Sequence, residues 1–267
     1  MDFEQVARTA VAEAGALLRA RWRAAKTVHY KGAVDLVTET DRDAEALVVD
    51  HLQRAFPDHL IIAEEASAGA TLRAPVGDRY VWYLDPLDGT TNFAHAYPQF
   101  CVSLALARGV HVLFGIVYDP LRDETFIANR GHGATLNGDP IHVSAVEDLQ
   151  RALLGTGFAY DRQVRTEFYL SFMRDFMIRA QDVRRAGSAA LDLCYVACGR
   201  FDGFWEWNLR PWDTAAAALI VREAGGMVSD FHGKPFDLYG EQTLASNGHI
   251  HDAMVSLLTA RLNAAAT

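Results

Sequence analysis

Cysteine, long apolar runs and positive charge are all scarce in this sequence, and each shortage excludes a class of protein. The chain has 3 cysteines in 267 residues and no Cys-x-x-Cys pair, which argues against a disulfide scaffold and a zinc ribbon. No apolar run approaches the ~20 residues of a membrane span, and MDFEQVARTA at the N-terminus lacks a signal-peptide core. These features predict a cytoplasmic protein with Cys101, Cys194 and Cys198 as reduced core thiols.

Basic residues are outnumbered, with 25 Lys and Arg against 34 Asp and Glu and a formal net charge of -9. Such a balance argues against a surface that coats nucleic acid. The sequence also has no GxxxxGK[ST], no GxGxxG after a strand and no GxSxG motif, which argues against nucleotide-binding modules and a serine nucleophile. Half of the residues are hydrophobic, enough for a sizeable core.

The first part of the chain is predicted to be a helix pair. Apolar residues recur at helical spacing over 3–25, and the segment 26–38 breaks that period, which predicts a loop. A second helix is predicted with 44–56 as its body and with Thr40 or Asp41 as its N-cap.

The texture of the sequence changes near residue 144. Between 60 and 143, short β-type runs are separated by hairpin-like breaks, which predicts an antiparallel sheet. Beyond 144, strand-like and helix-like segments alternate. This order favours an α+β or layered α/β enzyme.

The segment DPLDGTTNF (85–93) directly follows an apolar run and contains two aspartates and a conformationally free glycine. Asp85 and Asp88 are predicted just past a strand, where strands deliver functional groups. Gly89 permits close backbone approach, and the N–H groups of residues 89–91 are able to face an anion. The alternative for an isolated Asp-x-x-Asp is an ordinary acidic turn that caps a helix.

Further acids lie at the ends of other predicted elements. Glu64 and Glu65 end the run LIIAEE, and neighbours on a strand point to opposite sides, so that one of them can face a cleft. A solvated strand end is the alternative. Asp213 and Asp41 stand where helices begin, and a simple N-cap is the alternative for each.

Gathered in one place, these carboxylates would form an all-oxygen site that suits Mg²⁺. The set comprises Glu64, Asp85, Asp88 and Asp213. So many like charges need a cation, and Mg²⁺ commonly bridges to a substrate phosphate. The pattern therefore predicts a metal-assisted phosphoryl site. We predict one compact catalytic unit in which residues 1–143 carry most of the metal ligands, on a helix pair and a large antiparallel sheet, and residues 144–267 complete the site.

Several segments together resemble the inositol monophosphatase family, in its bacterial branch. The matching segments are VDLVTETD (34–41), EE (64–65), DPLDGTTNF (85–93), RRAGSAALDLCYVACGRFDGFWE (184–206) and WDTAAAALIVREAGG (212–226). The resemblance runs from about residue 3 to 262. Ala63 and Ala66 depart from it, since many members have glycine and serine there. The resemblance implies a layered αβαβα sandwich of the sugar-phosphatase type and Mg²⁺-dependent hydrolysis of inositol 1-phosphate.

The resemblance also implies a role for each matching position. The implied ligands of two to three Mg²⁺ ions are Glu64, Asp85, the Leu87 carbonyl, Asp88 and Asp213. The implied catalytic residues are Asp41, Glu64, Asp85 and Thr90, with Thr90 and Asp41 orienting and deprotonating the attacking water. The implied substrate contacts are Asp88, Gly89, Thr90, Gly187, Ser188, Ala189, Glu206 and Asp213. Glu65 is expected to support the ligands, and Lys31 matches a mobile active-site lysine, with a solvated loop lysine as its alternative.

Other readings stay open beside inositol 1-phosphate. Relatives of the same fold hydrolyse histidinol phosphate, fructose 1,6-bisphosphate or 3′-phosphoadenosine 5′-phosphate. Bacterial members that resemble this chain can act on the transcription machinery. Arg184 and Arg185 are a weak indication of a protein or RNA partner, and a salt bridge or dimer contact explains them more simply. The resemblance further implies a homodimer and inhibition by lithium.

Overall fold

The computed structural model describes residues 2–24, 28–30, 36–67, 72–74 and 77–265. Its helices are α1 (Phe3–Arg21), α2 (Glu39–Ala55), α3 (Thr90–Ala94), α4 (Thr166–Arg179), α5 (Ala189–Ala197), α6 (Pro211–Glu223) and α7 (His251–Ala265). Its strands are β1 (Val28–Tyr30), β2 (Leu36–Thr38), β3 (Leu60–Ala63), β4 (Tyr80–Asp88), β5 (Cys101–Arg108), β6 (His111–Asp119), β7 (Glu124–Asn129), β8 (Ala134–Leu136), β9 (Asp139–Ile141), β10 (Leu153–Thr156), β11 (Asp182–Arg184), β12 (Gly203–Trp207), β13 (Met227–Ser229) and β14 (Gln242–Ser246). In the described chain, every helix is too short or too polar to span a membrane.

The helix pair α1 and α2 is confirmed, with two corrections at its ends. The first helix stops at Arg21, and part of the predicted loop 26–38 forms β1 and β2, which pair antiparallel. The N-cap of α2 is Thr38, not Thr40 or Asp41. Thr38 is preferred because its hydroxyl accepts from Thr40 N while the Asp41 carboxylate reaches back to Thr38 N, so that two otherwise unpaired donors are satisfied together.

A large sheet has the strand order β3-β4-β5-β6-β7-β8-β9. Its neighbours are antiparallel as predicted, except that β3 and β4 are parallel. Along β4 the side chains alternate between the faces: Val81 and Tyr83 pack into one apolar cluster, Trp82 and Leu84 into another. Both faces of the sheet are therefore covered, which accounts for an unbroken apolar run in the sequence.

A smaller sheet has the order β11-β10-β12-β14-β13, with parallel and antiparallel pairs. Helices α1 and α2 pack on the outer face of the large sheet, α5 and α6 lie between the two sheets, and α4 and α7 cover the smaller sheet. The predicted layered αβαβα architecture is confirmed. The division at residues 143 and 144 stays a prediction.

A glycine brings the central helix close to the large sheet. A Cβ built at Gly115, on β6, would lie 2.7 Å from the carbonyl oxygen of Ala216 on α6. A backbone contact of this kind cannot yield, so only glycine fits there. The close packing sets the N-terminus of α6 beside the end of β4.

Candidate active site

Asp85 and Asp88 lie on the bulged end of a strand, which corrects the prediction of a turn past the strand. β4 extends through Asp88, and its register against β5 shifts between the pairs Asp85–Ser103 and Asp88–Cys101. The shift inserts one extra residue into β4. In a regular strand, side chains three positions apart point to opposite faces, so the extra residue allows both carboxylates to face one side.

Hydrogen bonds fix both of these carboxylates. Leu87 N donates to Asp85 Oδ1 at 2.9 Å. Asp88 Oδ2 accepts from Ser188 Oγ and from Ala190 N, each at 2.7 Å. The end of β4 is thereby tied to the beginning of α5, which places the predicted substrate contact Ser188 next to a predicted metal ligand.

Glu64 and Glu65 lie in a turn after β3, not on a strand as predicted. The turn is held to the sheet by a hydrogen bond from Glu64 N to Leu84 O at 3.1 Å. From α2, Glu45 accepts from Glu65 N at 2.7 Å and from Ala66 N at 2.9 Å. A buried carboxylate on a helix thus fixes the backbone beside Glu64, because it takes two amide donors that the turn leaves unpaired.

Asp213 is the third residue of α6 rather than its N-cap, which is Arg210. Its Oδ2 accepts from Arg210 N at 2.7 Å. Pro211 opens the helix, where a missing N–H costs nothing. The carboxylate therefore caps the helix and faces the end of β4 at the same time.

Asp41 reaches the site through another side chain. Its Oδ2 accepts from Thr38 N at 2.9 Å and from Thr38 Oγ1 at 2.5 Å, and its Oδ1 is 3.0 Å from Thr90 Oγ1. Thr90 opens α3, directly after Gly89 in a left-handed conformation with φ of 100°. A Cβ at Gly89 would lie 2.8 Å from Gln99 O, so glycine is required there for two reasons.

These elements surround a cavity of about 820 Å³. The predicted residues that line it are Glu64, Asp85, Leu87, Asp88, Gly89, Thr90, Gly187, Ser188, Ala189, Glu206 and Asp213. Two further predicted residues, Asp41 and Glu65, are not among the described residues that line the cavity. Asp41 contacts the lining residue Thr90, and Glu65 follows the lining residue Glu64 in the chain. Lys31 lies outside the described residues, so its predicted role stays a prediction.

The acids at this end of the cavity repel one another. Burial raises the pKa of Asp85 well above its usual value, and the charges of Glu64, Asp88 and Asp213 raise it further. The pKa of Asp213 is also well above its usual value, first through burial and then through Glu64 and Asp88. A neighbouring cation would relieve both effects.

The donor set fits a hard cation. The described residues that line the cavity offer carboxylate, hydroxyl and carbonyl oxygens and include no histidine or cysteine. Mg²⁺ prefers such oxygen ligands, whereas zinc and copper favour nitrogen and sulfur. Within the described ranges, no three His, Cys, Asp or Glu side chains already stand in coordination geometry. The fit is therefore one of ligand chemistry and charge, and mutual repulsion is a physical reason for the carboxylates to stand apart.

The other end of the cavity is built from α5 and β12. Glu206 is 8% exposed, and within the described chain its carboxylate accepts no hydrogen bond. Burial raises its pKa to about 8, against the attraction of Arg185. Asp192 is buried beside it, and Asp192 Oδ1 has no hydrogen-bond partner among the described residues. Burial and then the charge of Glu206 raise the pKa of Asp192 well above its usual value.

Sequence reasoning missed Glu45, Asp192 and Gly157 as residues of this site. Glu45 lies one helical turn after Asp41 on the buried face of α2, and that spacing was a usable signal. Asp192 is the single charged residue in the apolar segment AALDLCYVA, which was a second usable signal. Gly157 gave none, because its role depends on a side chain from another strand.

The cysteine and arginine predictions have outcomes of their own. Cys101, Cys194 and Cys198 are free thiols, two of them buried and Cys198 half-buried. Arg184 pairs with Asp182 at 2.5 Å, which agrees with the simpler salt-bridge explanation.

Comparisons with known proteins identify the family of this chain. The model of the inositol monophosphatase family matches residues 2–263. The chain is 47% identical to the inositol-1-monophosphatase of Synechocystis over 264 residues, which covers 96% of this chain and 88% of that protein. It is 44% identical to the Nus factor SuhB of Pseudomonas aeruginosa, which covers 88% of this chain and 87% of that protein.

A solved structure of similar fold comes from the same family. The Thermotoga maritima IMPase superposes with a TM-score of 0.87 at 38% identity and covers 98% of this chain and 99% of that chain. The members of this family are generally metal-dependent phosphatases. Because the family model and the relatives span nearly the whole sequence, the chain belongs to the inositol monophosphatase family of phosphatase hydrolases.

Proposed function

We propose that this protein hydrolyses inositol 1-phosphate to inositol and phosphate in a Mg²⁺-dependent reaction. The observation that carries the proposal is the electrostatic coupling of Asp85 with Glu64, Asp88 and Asp213 on one wall of the cavity. Burial and the charges of neighbouring carboxylates raise the pKa of Asp85 and of Asp213. Such a cluster favours a site for cations and, through the cations, for a phosphate. The backbone N–H groups of Gly89 and Thr90 would bind the phosphate oxygens beside them.

The metal ligands in this proposal come from three elements. Glu64 in the turn after β3, Asp85 and the Leu87 carbonyl on β4 would hold one Mg²⁺, and Asp85 with Asp88 and Asp213 a second; Glu64 would also face a third, weaker ion. When bound, Mg²⁺ neutralises phosphate oxygens, lowers the pKa of water and stabilises a leaving alkoxide. The hydrogen bonds to Asp85, Asp88 and Asp213 would orient these carboxylates before any ion arrives.

Thr90 and Asp41 would prepare the attacking water. Thr90 Oγ1 lies 3.0 Å from Asp41 Oδ1 and 3.0 Å from the Leu87 carbonyl oxygen. In this proposal its single proton goes to the Asp41 carboxylate, which leaves a lone pair on Oγ1 to accept a hydrogen bond from water. As the water oxygen bonds to phosphorus, its proton would pass to Thr90 and the Thr90 proton to Asp41. The bond from phosphorus to the alcohol oxygen breaks with its electron pair, and the leaving oxygen takes a proton from a solvent water. The proton held on Asp41 then returns to the hydroxide so formed, so that no proton is gained or lost overall. Both hydrogen bonds from Thr38 hold Asp41 in position.

The end of the cavity built from α5 and β12, here called the alcohol end, favours a polyol as the leaving group. Glu206 presents a carboxylate with no hydrogen bond from the described residues, and carboxylate oxygens accept readily from ring hydroxyls. Histidinol phosphate, fructose 1,6-bisphosphate and 3′-phosphoadenosine 5′-phosphate are the alternative substrates. Inositol 1-phosphate is preferred because its ring offers hydroxyl donors throughout.

Phosphate release from these four compounds, with Mg²⁺ and with EDTA, tests the proposal. We expect Mg²⁺-dependent turnover with inositol 1-phosphate preferred. Preference for another compound would contradict the substrate and keep the chemistry. Turnover that persists in EDTA would contradict the metal requirement.

A second function rests on a different observation, the 44% identity to a Nus factor. We propose that the chain also associates with the transcription machinery. Mixing the purified protein with RNA polymerase and detecting a complex by light scattering or co-purification tests this function. An absence of complex at micromolar concentrations, with the phosphatase active, would contradict it.

A homodimer is proposed as the working assembly. The outer face of α4 exposes three large apolar side chains, Leu170, Met177 and Ile178, and such exposed groups favour contact with another protein surface. A molar mass of one chain in light scattering would contradict the homodimer.

A further inference from the structure

Glu206 owes its place to the residue opposite it on the next strand. β10 and β12 run parallel, with Thr156 paired to Trp205, so that the chain after Thr156 passes Glu206. A Cβ built at Gly157 would overlap all three atoms of the Glu206 carboxyl group, far inside van der Waals contact. The carboxylate therefore lies in the space that the missing side chain leaves.

The backbone at Gly157 does not itself demand glycine. Gly157 is not among the glycines with positive φ, unlike its neighbour in the cavity wall, Gly187. An alanine is consequently allowed by conformation and is opposed only by Glu206. Because the opposing atoms are the end of a flexible side chain, the chain can fold around an alanine by moving the carboxylate away.

The Glu206 carboxylate has no hydrogen bond from the described residues to hold it elsewhere. Arg185 attracts it, while Asp88 repels it. Asp192, buried behind it, also feels its charge. Since no described residue donates a hydrogen bond to it, we infer that the carboxylate takes its position from these charges and from the space above Gly157. A change of that space should move it.

We propose that Gly157 is a positioning residue for substrate choice: it has no Cβ, and this lets the Glu206 carboxylate face the hydroxyl groups of a polyol phosphate. The proposal rests on the proposed function, because it needs an alcohol with hydroxyl groups at this end of the cavity. It adds a determinant of selectivity that never touches the phosphate. A substrate that offers no hydroxyls should be indifferent to it.

The test compares Gly157→Ala, Glu206→Ala and the double variant on two substrates, inositol 1-phosphate and p-nitrophenyl phosphate. Gly240→Ala is the matched control, since Gly240 also lacks a positive φ and does not line the cavity. For inositol 1-phosphate we expect Gly157→Ala to lower kcat/KM about 10- to 100-fold, mainly through KM, the scale of leaving buried polar groups without their hydrogen bonds. For p-nitrophenyl phosphate we expect a change within about 2-fold.

The double variant separates positioning from general damage. Once Glu206 is alanine there is no carboxylate to displace, so Gly157→Ala should cause no further loss. If Gly157→Ala fails to fold while Gly157→Ala/Glu206→Ala folds, the overlap with Glu206 is demonstrated by the rescue.

Three outcomes would overturn the proposal. They are equal losses on both substrates, additive losses in the double variant, and misfolding of both Gly157 variants. Failure of the proposed function is distinguishable, because it shows in the wild type: turnover of p-nitrophenyl phosphate without turnover of inositol 1-phosphate would overturn the polyol substrate and this inference with it.

Discussion

The two ends of the cavity hold their carboxylates in different ways. At the phosphate end, Asp85, Asp88 and Asp213 each accept hydrogen bonds from nearby backbone or hydroxyl groups. At the alcohol end, Glu206 accepts none from the described residues, and Asp192 Oδ1 has no partner there either. Buried polar groups are normally hydrogen-bonded, so carboxylates without a partner on the cavity wall are in a position to accept from a bound ligand.

The difference suggests a division of labour. At the phosphate end, hydrogen bonds orient the carboxylates before any cation binds. Such preorganisation contributes to rate rather than to choice of substrate. At the alcohol end, the carboxylates that no described residue pairs would favour a ligand with hydroxyl donors, because such a ligand satisfies the buried groups. Changes at the first end should act on kcat for every substrate, and changes at the second on selectivity.

Asp85→Asn should break the phosphate end most severely. The residue is proposed to face two ions, and we expect kcat to fall at least about 1,000-fold, the equivalent of several kcal/mol of lost charge stabilisation. The fold should persist, because the variant removes a buried charge that its neighbours repel. The measurement is kcat with excess Mg²⁺, beside thermal unfolding in EDTA. A variant that keeps near-normal kcat would show that the metal assignment is wrong.

Glu45→Gln should weaken the phosphate end without touching it. The Glu45 carboxylate now accepts hydrogen bonds from two backbone N–H groups, those of Glu65 and Ala66. In glutamine, the amide NH₂ would face one of these N–H groups, so that two donors would meet. We expect a loss of about 1–3 kcal/mol in the free energy of unfolding and an apparent Mg²⁺ affinity roughly 10-fold weaker. Urea unfolding and Mg²⁺ titrations of activity measure both.

Asp50→Asn is the matched control on the same helix, since Asp50 is exposed and pairs only with its neighbour Arg54 among the described residues. If Glu45→Gln and Asp50→Asn behaved alike, the turn after β3 would not depend on Glu45.

Added Mg²⁺ should raise the melting temperature. An ion that binds only the folded state stabilises it by about 2.7 kcal/mol at 100 times its dissociation constant, roughly 5 °C or more for a chain of this size. Asp85→Asn should remove most of this shift, whereas Glu206→Gln should leave most of it, since Glu206 lies at the other end. Calorimetry measures the shifts, and equal shifts in both variants would contradict the comparison of the two ends.

The sequence predicted the identity of these groups better than their setting. Asp85, Asp88 and Asp213 were recognisable because each follows or precedes an apolar run. The bulge between Asp85 and Asp88 was not, because a bulge is a property of two paired strands and depends on the register of β5. The layered fold followed from the order of elements and from the family resemblance.

Errors arose where a local rule had two solutions. Thr40 and Asp41 are both good N-caps, and the choice of Thr38 depends on a reciprocal pair of hydrogen bonds. Gly157 illustrates a harder limit: its neighbour Glu206 comes from β12, and no pattern within β10 announces it.

A substitution of His251 should have the smallest effect on stability among these predictions. His251 lies outside the cavity and shows how a buried titratable group behaves when it is fully hydrogen-bonded. It is buried like Glu206, but both of its ring nitrogens are hydrogen-bonded, Nε2 to Ser229 Oγ at 2.9 Å and Nδ1 to Ser246 Oγ at 2.8 Å. Ser229 Oγ also donates to Asp230 O, so Nε2 is the donor in its pair and Nδ1 accepts from Ser246. A neutral imidazole ring therefore satisfies both hydrogen bonds, one as donor and one as acceptor.

Burial lowers the pKa of His251 below the ordinary 6.5, against a small opposing effect of Asp252. Above pH 6.5 both the folded and the unfolded chain hold a neutral ring, so the stability is fully present. As the pH falls below 6.5, the unfolded chain binds the proton more readily, and stability is lost through the lower folded pKa. His251→Asn should reduce the slope of the free energy of unfolding against pH in this range. The measurement is urea unfolding at pH values between about 5 and 8. Identical slopes in wild type and variant would show that folding does not change the pKa of the ring. The two hydrogen bonds of His251 would then not distinguish it from the carboxylates at the alcohol end of the cavity.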